Sequence, residues 1–533
     1  MHVLICDPIS PKGIALFKGR PEFKVTVLEK RLKEEELIPL LADVEAMVVR
    51  SETKVTRRVM EAAPKLKVVG RAGVGVDNVD VEAATARGVV VMNTPAGNTI
   101  TTAELTFAML MAVARKVPQA HATMTAGKWD RKAFQGTELC GKTLGVLGMG
   151  RIGGEVAKRA LAFGMRVVAH DPFLTEARAK ALGVELVQDA DGIYAEADFI
   201  TVHMPVTEQT RGMLNASAFS RMKPGVRIVN CARGEIIVEP DLVAAIESGK
   251  VAGAALDVFC VEPLPADHAF RKLPQVILTP HLGASTEEAQ EKCGIEVAEV
   301  IAGYLLTGEV RNAVNLPGVD AKTYEQVKPY LLLGEKIGSL LGQLAPAQVD
   351  RIHVTYGGKA QALPTTDPIT RAILQGFLAH GAVVKDINKV NVRSAASSLG
   401  ITVEEKRSDE PVTFNEWLHV QLFSAGRKVI SAGGTFFGSP NNPRIVRLYS
   451  MPVEIPISGN LLLLNNADRP GIVGYLGTLM GKYKINIASM SLSRDEVGGQ
   501  AFTVLNLDSV PSAACLEEIQ KDPDISNVRV VKF

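Results

Sequence analysis

At 533 residues the chain is long enough for about three or four domains, and 47% hydrophobic with 22% charged residues is the balance of an ordinary soluble globular protein. A formal net charge of +1 supplies no basic field for nucleic acid or an anionic membrane surface. Six cysteines, Cys6, Cys140, Cys231, Cys260, Cys293 and Cys515, lack CxxC spacing, which argues against a zinc site or a disulfide framework and fits a reducing compartment.

The N-terminal segment enters a strand pattern at once, in His2–Cys6, with no signal peptide, transit peptide or long apolar span, so the cytoplasm is expected. Short apolar strands then alternate with helical stretches to about residue 315, which reads as doubly wound α/β. The first strands are expected at Val3–Cys6, Val25–Leu28, Ala46–Val49, Val68–Gly70 and Val89–Met92, and none carries a phosphate loop. A helix is expected from Thr99 to Arg115. A second series of strands follows at Leu144–Gly148, Val167–His170, Phe199–His203, Val226–Asn230, Ala254–Val258 and Val276–Leu278.

The second series opens on the most informative stretch of the chain, Gly148-Met149-Gly150-Arg151-Ile152-Gly153. Gly148 permits a tight turn, Gly150 lets backbone approach a pyrophosphate, and Gly153 lets the helix pack on its strand. The helix beginning near Ile152 points free N–H groups at the phosphates. The following strand ends at Asp171, 18 residues after Gly153, where a carboxylate accepts both ribose hydroxyls of NAD and repels the 2′-phosphate of NADP. The competing reading is a glycine-rich turn in a non-binding α/β domain.

Three residues then follow strand ends of the same domain: Arg233 in Asn230–Gly234, Glu262 in Asp257–Pro263, and His281 in Leu278–Gly283. Ligands of open α/β sheets bind at the carboxyl ends of strands, so these loops are where chemistry is expected. Each residue alone reads more readily as a solvated or structural group.

After the helical stretch Glu287–Leu306, Asn315-Leu316-Pro317-Gly318 is a linker signal. A mixed α/β segment spans 319–455, with a helix at Tyr330–Leu344 and a strand at Ile352–Tyr356, and a second boundary is expected at Met451–Pro456. The last segment, 459–533, reads as a ferredoxin-like βαββαβ unit.

The motifs Gly70-Arg71-Ala72-Gly73-Val74-Gly75-Val76-Asp77-Asn78, Gly148–Gly153, Asn230–Gly234 and Pro280-His281 together resemble those of the D-isomer-specific 2-hydroxyacid dehydrogenases. Within that family the similarity is greatest to members that oxidise 3-phospho-D-glycerate at the start of the phosphorylated serine pathway. The resemblance implies a flavodoxin-like substrate domain, 1–97 with 284–315, interrupted by a Rossmann-type NAD domain, 98–283, with the site in the cleft between them. It implies His281 as acid/base and Glu262 as its partner, a carboxylate that fixes the imidazole tautomer and favours the protonated ring. Arg233 would hold the substrate carboxylate through its planar fork. Val74, His203, Cys231, Ala232, Asp257 and Gly283 would join the glycine loop, Arg151, Ile152, Asp171 and His281 around NAD.

By the same resemblance Arg50 with Ser51, and Arg71, would bind the substrate phosphate, and Gly73 and Asn98 would line the cleft. Arg131 would reach the site of a neighbouring subunit in a homo-oligomer, a tetramer. Residues 319–455 resemble an intervening regulatory domain, and 459–533 an ACT domain in which Asn466, Asp468 and Asn486 would bind serine across a domain dimer. No metal is expected. One alternative is a reductase of hydroxypyruvate, glyoxylate or 2-oxoglutarate, against which Arg50 and the ACT-like module argue. A more distant one is an NAD-sensing protein like the family's corepressors, against which the ACT-like tail argues.

Overall fold

The structure, a computed structural model, describes residues 1–318, 321–346, 348–380, 387–410, 416–439 and 442–533. The boundary expected at residue 319 lies outside them. Four sheets succeed one another along the chain.

The first is built from β1 (His2–Ile5), β2 (Lys24–Val27), β3 (Ala46–Val49), β4 (Val68–Arg71) and β5 (Val90–Met92). All pairs are parallel and the order is β2-β1-β3-β4-β5, the flavodoxin-like arrangement. Strands such as Ala46–Val49 are apolar at every position because helices cover both faces. The helix Glu287–Thr307 returns to this sheet, placing Cys293, Val297 and Ile301 in one core with Val3, Ile5 and Phe17. Its Gly294 backs directly onto Gly13 of the helix Pro11–Lys18, where neither chain has room for a Cβ.

The second sheet comprises β6 (Thr143–Leu147), β7 (Arg166–His170), β8 (Glu185–Leu186), β9 (Phe199–Val202), β10 (Val226–Asn230), β11 (Val251–Leu256) and β12 (Val276–Leu278). It is parallel throughout, in the order β12-β11-β10-β9-β6-β7-β8. The strand order reverses between β6 and β9, so the loops after these two strands diverge and leave a crevice. The helix Thr99–Arg115 packs on β10, β11 and β12 and belongs to this core.

The third sheet runs β14-β13-β15-β16-β17-β18, with β13 (Arg351–Gly358), β14 (Thr402–Arg407), β15 (Glu416–Ser424), β16 (Arg427–Phe436), β17 (Pro443–Leu448) and β18 (Met451–Pro456). Helices Ala321–Leu344 and Asp367–Leu378 pack together beside it, the first continuing through Pro329. The boundary expected at Met451–Pro456 is instead β18 itself. As an edge strand it tolerates Pro452 and Pro456 because its outer side needs no ladder donors.

The fourth sheet, β20-β21-β19-β22, is antiparallel: β19 (Asn460–Ala467), β20 (Ile487–Arg494), β21 (Gln500–Leu507) and β22 (Ile525–Lys532). Helices Ile472–Lys482 and Ala513–Gln520 complete a βαββαβ unit on one face. The other face, with Leu461, Leu463, Phe502 and Val531, merges with the core of the third sheet. Gln343 seals that seam by exchanging hydrogen bonds with the Lys532 backbone. Among the described residues no helix is long and apolar enough to cross a membrane.

Candidate active site

The crevice of the second sheet has the geometry a dinucleotide needs. Gly148 ends β6 with φ +96°, and its N–H is tied to the His170 carbonyl at 2.9 Å. A Cβ there would press on the His203 carbonyl. Gly150 is the N-cap of the helix Arg151–Ala162 and faces open space, so a ligand can approach backbone N–H groups. Gly153 packs on Gly148, whose carbonyl oxygen a Cβ would overlap. Arg151 is exposed at the helix start and Ile152 half-buried beside it. Asp171 follows β7, and its two oxygens accept the N–H groups of Met149 at 2.7 Å and Phe173 at 2.8 Å. Those bonds fix the carboxylate at the end of β7, each oxygen keeping a lone pair for a further donor. These residues fit NAD.

His203 follows β9, and its Nε2 meets Thr201 Oγ1 at 2.9 Å. Burial lowers its imidazole pKa to about 3, so it is neutral at physiological pH. Cys231 turns its sulfur inward against Met109, and burial pushes the thiol up to about 12, leaving only its backbone for a ligand. Asn230, fully buried, donates to the Arg233 carbonyl at 2.8 Å and accepts from the Ala232 N–H at 2.9 Å. It clamps the loop that carries Arg233, a role that sequence reading missed. A polar residue closing the apolar run Val226–Asn230 was the available signal.

Asp257, at the end of β11, is also fully buried. Its carboxylate accepts from Thr279 Oγ1 at 2.6 Å, Leu282 N–H at 2.8 Å and Gly283 N–H at 2.9 Å, and its carbonyl accepts from the His281 N–H. Burial raises the carboxyl's pKa against the pull of these bonds. Every donor comes from the 279–283 turn, so Asp257 fixes the loop on which His281 sits with φ +57°. Thr102 holds the same loop from the other side through the Gly283 carbonyl, 2.7 Å away.

His281 Nδ1 lies 2.7 Å from Glu262 Oε2, and the other Glu262 oxygen accepts the Phe259 N–H at 3.0 Å. Burial pushes the Glu262 carboxyl up, but the hydrogen bond and charge of His281, the Phe259 N–H and the charge of Arg233 outweigh it and hold its pKa below the usual carboxylate value. A carboxylate acceptor makes Nδ1 the donor, which leaves Nε2 with the lone pair.

Arg233 joins this pair to a cluster of cations. Its Nη2 lies 3.0 Å from Asp77 Oδ2, in the loop after β4. Arg71 ends β4 beneath Gly73, and burial, followed by the repulsion of Arg233, lowers its pKa, with Asp77 opposing and Arg50 adding to the repulsion. The buried Nε of Arg71, Asn98 Oδ1 and Thr99 Oγ1 have no hydrogen-bond partner among the described residues. Buried polar atoms without partners are costly, and Arg71, Asn98 and Thr99 each carry one. Arg50 follows β3 with its backbone N–H on Asp7 and Nη1 near the Pro8 carbonyl; Ser51 beside it is exposed. Val74 is half-buried, and its carbonyl accepts from Asn93.

Arg131 is not brought to this cleft. It is exposed on a loop with Trp129, 78% exposed, where Asp130 caps the N–H groups of Lys132 and Ala133. In the last unit Asn466 is 1% exposed, with its side chain spent on Thr503 and the Ala467 carbonyl. Asp468 accepts from Arg494 and the Gly498 N–H, and Asn486 donates to Asp508. Among the described residues no cluster of metal-ligating side chains occurs.

Fold and site together define an NAD-dependent dehydrogenase with a histidine–glutamate pair facing an arginine. Residues 107–283 match the model of the D-isomer specific 2-hydroxyacid dehydrogenase NAD binding domain, and 326–449 that of the D-3-phosphoglycerate dehydrogenase intervening domain. A D-3-phosphoglycerate dehydrogenase of Synechocystis sp. is 42% identical over 531 residues, covering 100% of this chain and 94% of that protein. One of Archaeoglobus fulgidus is 43% identical over 535 residues, covering 100% of both. Among solved structures, a glyoxylate reductase from Paecilomyes thermophila is 30% identical with TM-score 0.55, covering 59% of this chain and 98% of its own. An NAD-dependent formate dehydrogenase of Staphylococcus aureus in complex with NAD is 27% identical with TM-score 0.53, covering 60% and 100%. The chain belongs to the D-3-phosphoglycerate dehydrogenase family.

Proposed function

We propose that the chain oxidises 3-phospho-D-glycerate to 3-phosphooxypyruvate with NAD. The observation that carries this reading is the position of Arg233. On one side it acts on the Glu262–His281 pair, and on the other it neighbours Arg71 and Asp77. One guanidinium thus stands between a proton acceptor and a cationic end, as a substrate with a carboxylate, a C2 hydroxyl and a phosphate requires.

Arg233 holds the substrate carboxylate and polarises the C2 oxygen. His281 Nε2 accepts the hydroxyl proton as the C2 carbon is oxidised, and Glu262, held on Nδ1, stabilises the imidazolium formed. NAD, when bound, supplies the hydride acceptor. Arg71 and Arg50 hold the phosphate dianion, and the mutual repulsion of Arg71 with Arg233 and Arg50 supports that assignment. Asn230 and Asp257 position the loops that carry Arg233 and His281.

Serine is the proposed effector of the βαββαβ unit, acting through Asp468 and Asn486 at its surface; Asn466 is spent internally. The exposed Arg131 and Trp129 loop supports assembly into a homo-oligomer, taken as a tetramer, and the cytoplasm is the proposed compartment. The test is a pair of variants, His281→Ala and Arg233→Ala, assayed for turnover and for NADH affinity. Turnover is expected to fall by about a hundred- to ten-thousandfold, the range of lost acid/base and electrostatic groups, with NADH affinity kept. Equal losses in both would refute the roles.

A further inference from the structure

Arg233 is paired with an exposed carboxylate of the protein itself. Asp77 belongs to the loop after β4 in the first lobe, and Arg233 follows β10 in the second. Their ion pair, 3.0 Å between Nη2 and Oδ2, therefore spans the two lobes. The Asp77 side chain is 77% exposed and the Arg233 side chain 27% exposed, so the aspartate reaches out of solvent to a largely enclosed guanidinium. Gly75 makes the approach possible: a Cβ there would overlap Arg233 Nη2 and lie 2.8 Å from Asp77 Oδ2. The remaining arm of Arg233, Nη1, donates to the Ala232 carbonyl at 2.6 Å. One N–H of each outer nitrogen is thus engaged, so an incoming carboxylate meets a fork that Asp77 already shares.

We infer that Asp77 is an internal stand-in for the substrate carboxylate, a positioning residue that holds Arg233 across the cleft until substrate exchanges with it. The inference rests on the reading of Arg233 as the carboxylate anchor. Electrostatics explain why such a group is useful. Arg71 is half-buried, and both Arg233 and Arg50 act on it as repelling charges while Asp77 offsets them. Three guanidiniums await a ligand carrying about three negative charges, and one resident carboxylate eases their repulsion until it arrives. The exchange replaces one ion pair by another, so its cost is small: a partly exposed pair is worth only a fewfold in affinity.

The test uses oxalate, a carboxylate ligand without phosphate, titrated into the full-length protein saturated with NADH. Asp77→Asn is expected to tighten oxalate binding about two- to fivefold, in line with the loss of a partly exposed competitor. Asp77→Ala is expected to act in the same direction. In an Arg233→Ala background, Asp77→Asn is expected to change nothing, because a competitor acts only through the group competed for. Unchanged or weaker oxalate binding in both single variants, with NADH affinity intact, would overturn the inference. Failure of Arg233→Ala alone to weaken oxalate would instead overturn the reading of Arg233, so the two failures are distinct.

Discussion

Replacing Asp171 by alanine tests how the cofactor is chosen. The carboxylate holds the glycine loop through Met149 N–H at 2.7 Å and its own turn through Phe173 N–H at 2.8 Å. Alanine removes those two bonds and the acceptors for the ribose diol. Hydrogen bonds to a charged group are worth roughly 1.5–3 kcal/mol each, but the loop bonds face solvent and water replaces part of them. A net loss of about 2–3 kcal/mol in NAD binding remains, roughly 30- to 150-fold in affinity. NADP affinity moves the other way, since the like charge that repels its 2′-phosphate is gone. Asp171→Asn keeps the shape and one acceptor, so it lifts the repulsion at a smaller cost in NAD affinity. Fluorescence titration with NADH and NADPH measures both. A NADH-to-NADPH affinity ratio unchanged in the alanine variant would refute the ribose assignment.

Gly153→Ala places a methyl against the Gly148 carbonyl, a backbone atom that cannot swing aside. The helix must shift from β6, at about 1–3 kcal/mol, and NADH affinity is expected to fall about 5- to 150-fold; Gly154→Ala, with nothing within 4 Å, is the control and is expected to be neutral or slightly stabilising in thermal unfolding. Asp198 accepts the Thr143 N–H at 2.8 Å and Lys223 Nζ at 2.9 Å. Burial pushes its carboxyl up, but these partners prevail and its pKa is lowered. A depressed carboxylate stabilises the fold above its unfolded pKa and loses that contribution as pH falls through the folded value. Asp198→Asn is therefore expected to lower Tm at neutral pH, by the equivalent of about 1 kcal/mol, and the gap to the unmodified chain is expected to close on acidification below the ordinary carboxylate range; a gap independent of pH would refute it.

The two parallel sheets were legible because buried parallel strands are short apolar runs between turns, as in Ala46–Val49 and Phe199–Val202. The helix Thr99–Arg115 falls where its periodicity placed it. The third sheet was not legible strand by strand. β14 is the charged run Thr402–Arg407, exposed at one edge, and β18 carries prolines at the other, so each edge hides behind a composition that protects it from further pairing. At the site, the residues that motifs announce were nameable from sequence: the glycine loop, Asp171, Arg233, Glu262 and His281. Their supports were not. Asn230, Thr102 and Asp77 act through bonds to residues that are close in sequence or far from it, and only the folded chain shows which.

The most direct measurement is NADH formation by the purified chain with 3-phospho-D-glycerate, beside D-glycerate and D-lactate, for the unmodified protein and Arg71→Ala. The expected result is turnover of the phosphorylated acid above the other two, with most of that advantage lost in the variant. Equal activity on all three acids would contradict the phosphate site at Arg50 and Arg71, and with it the proposed substrate.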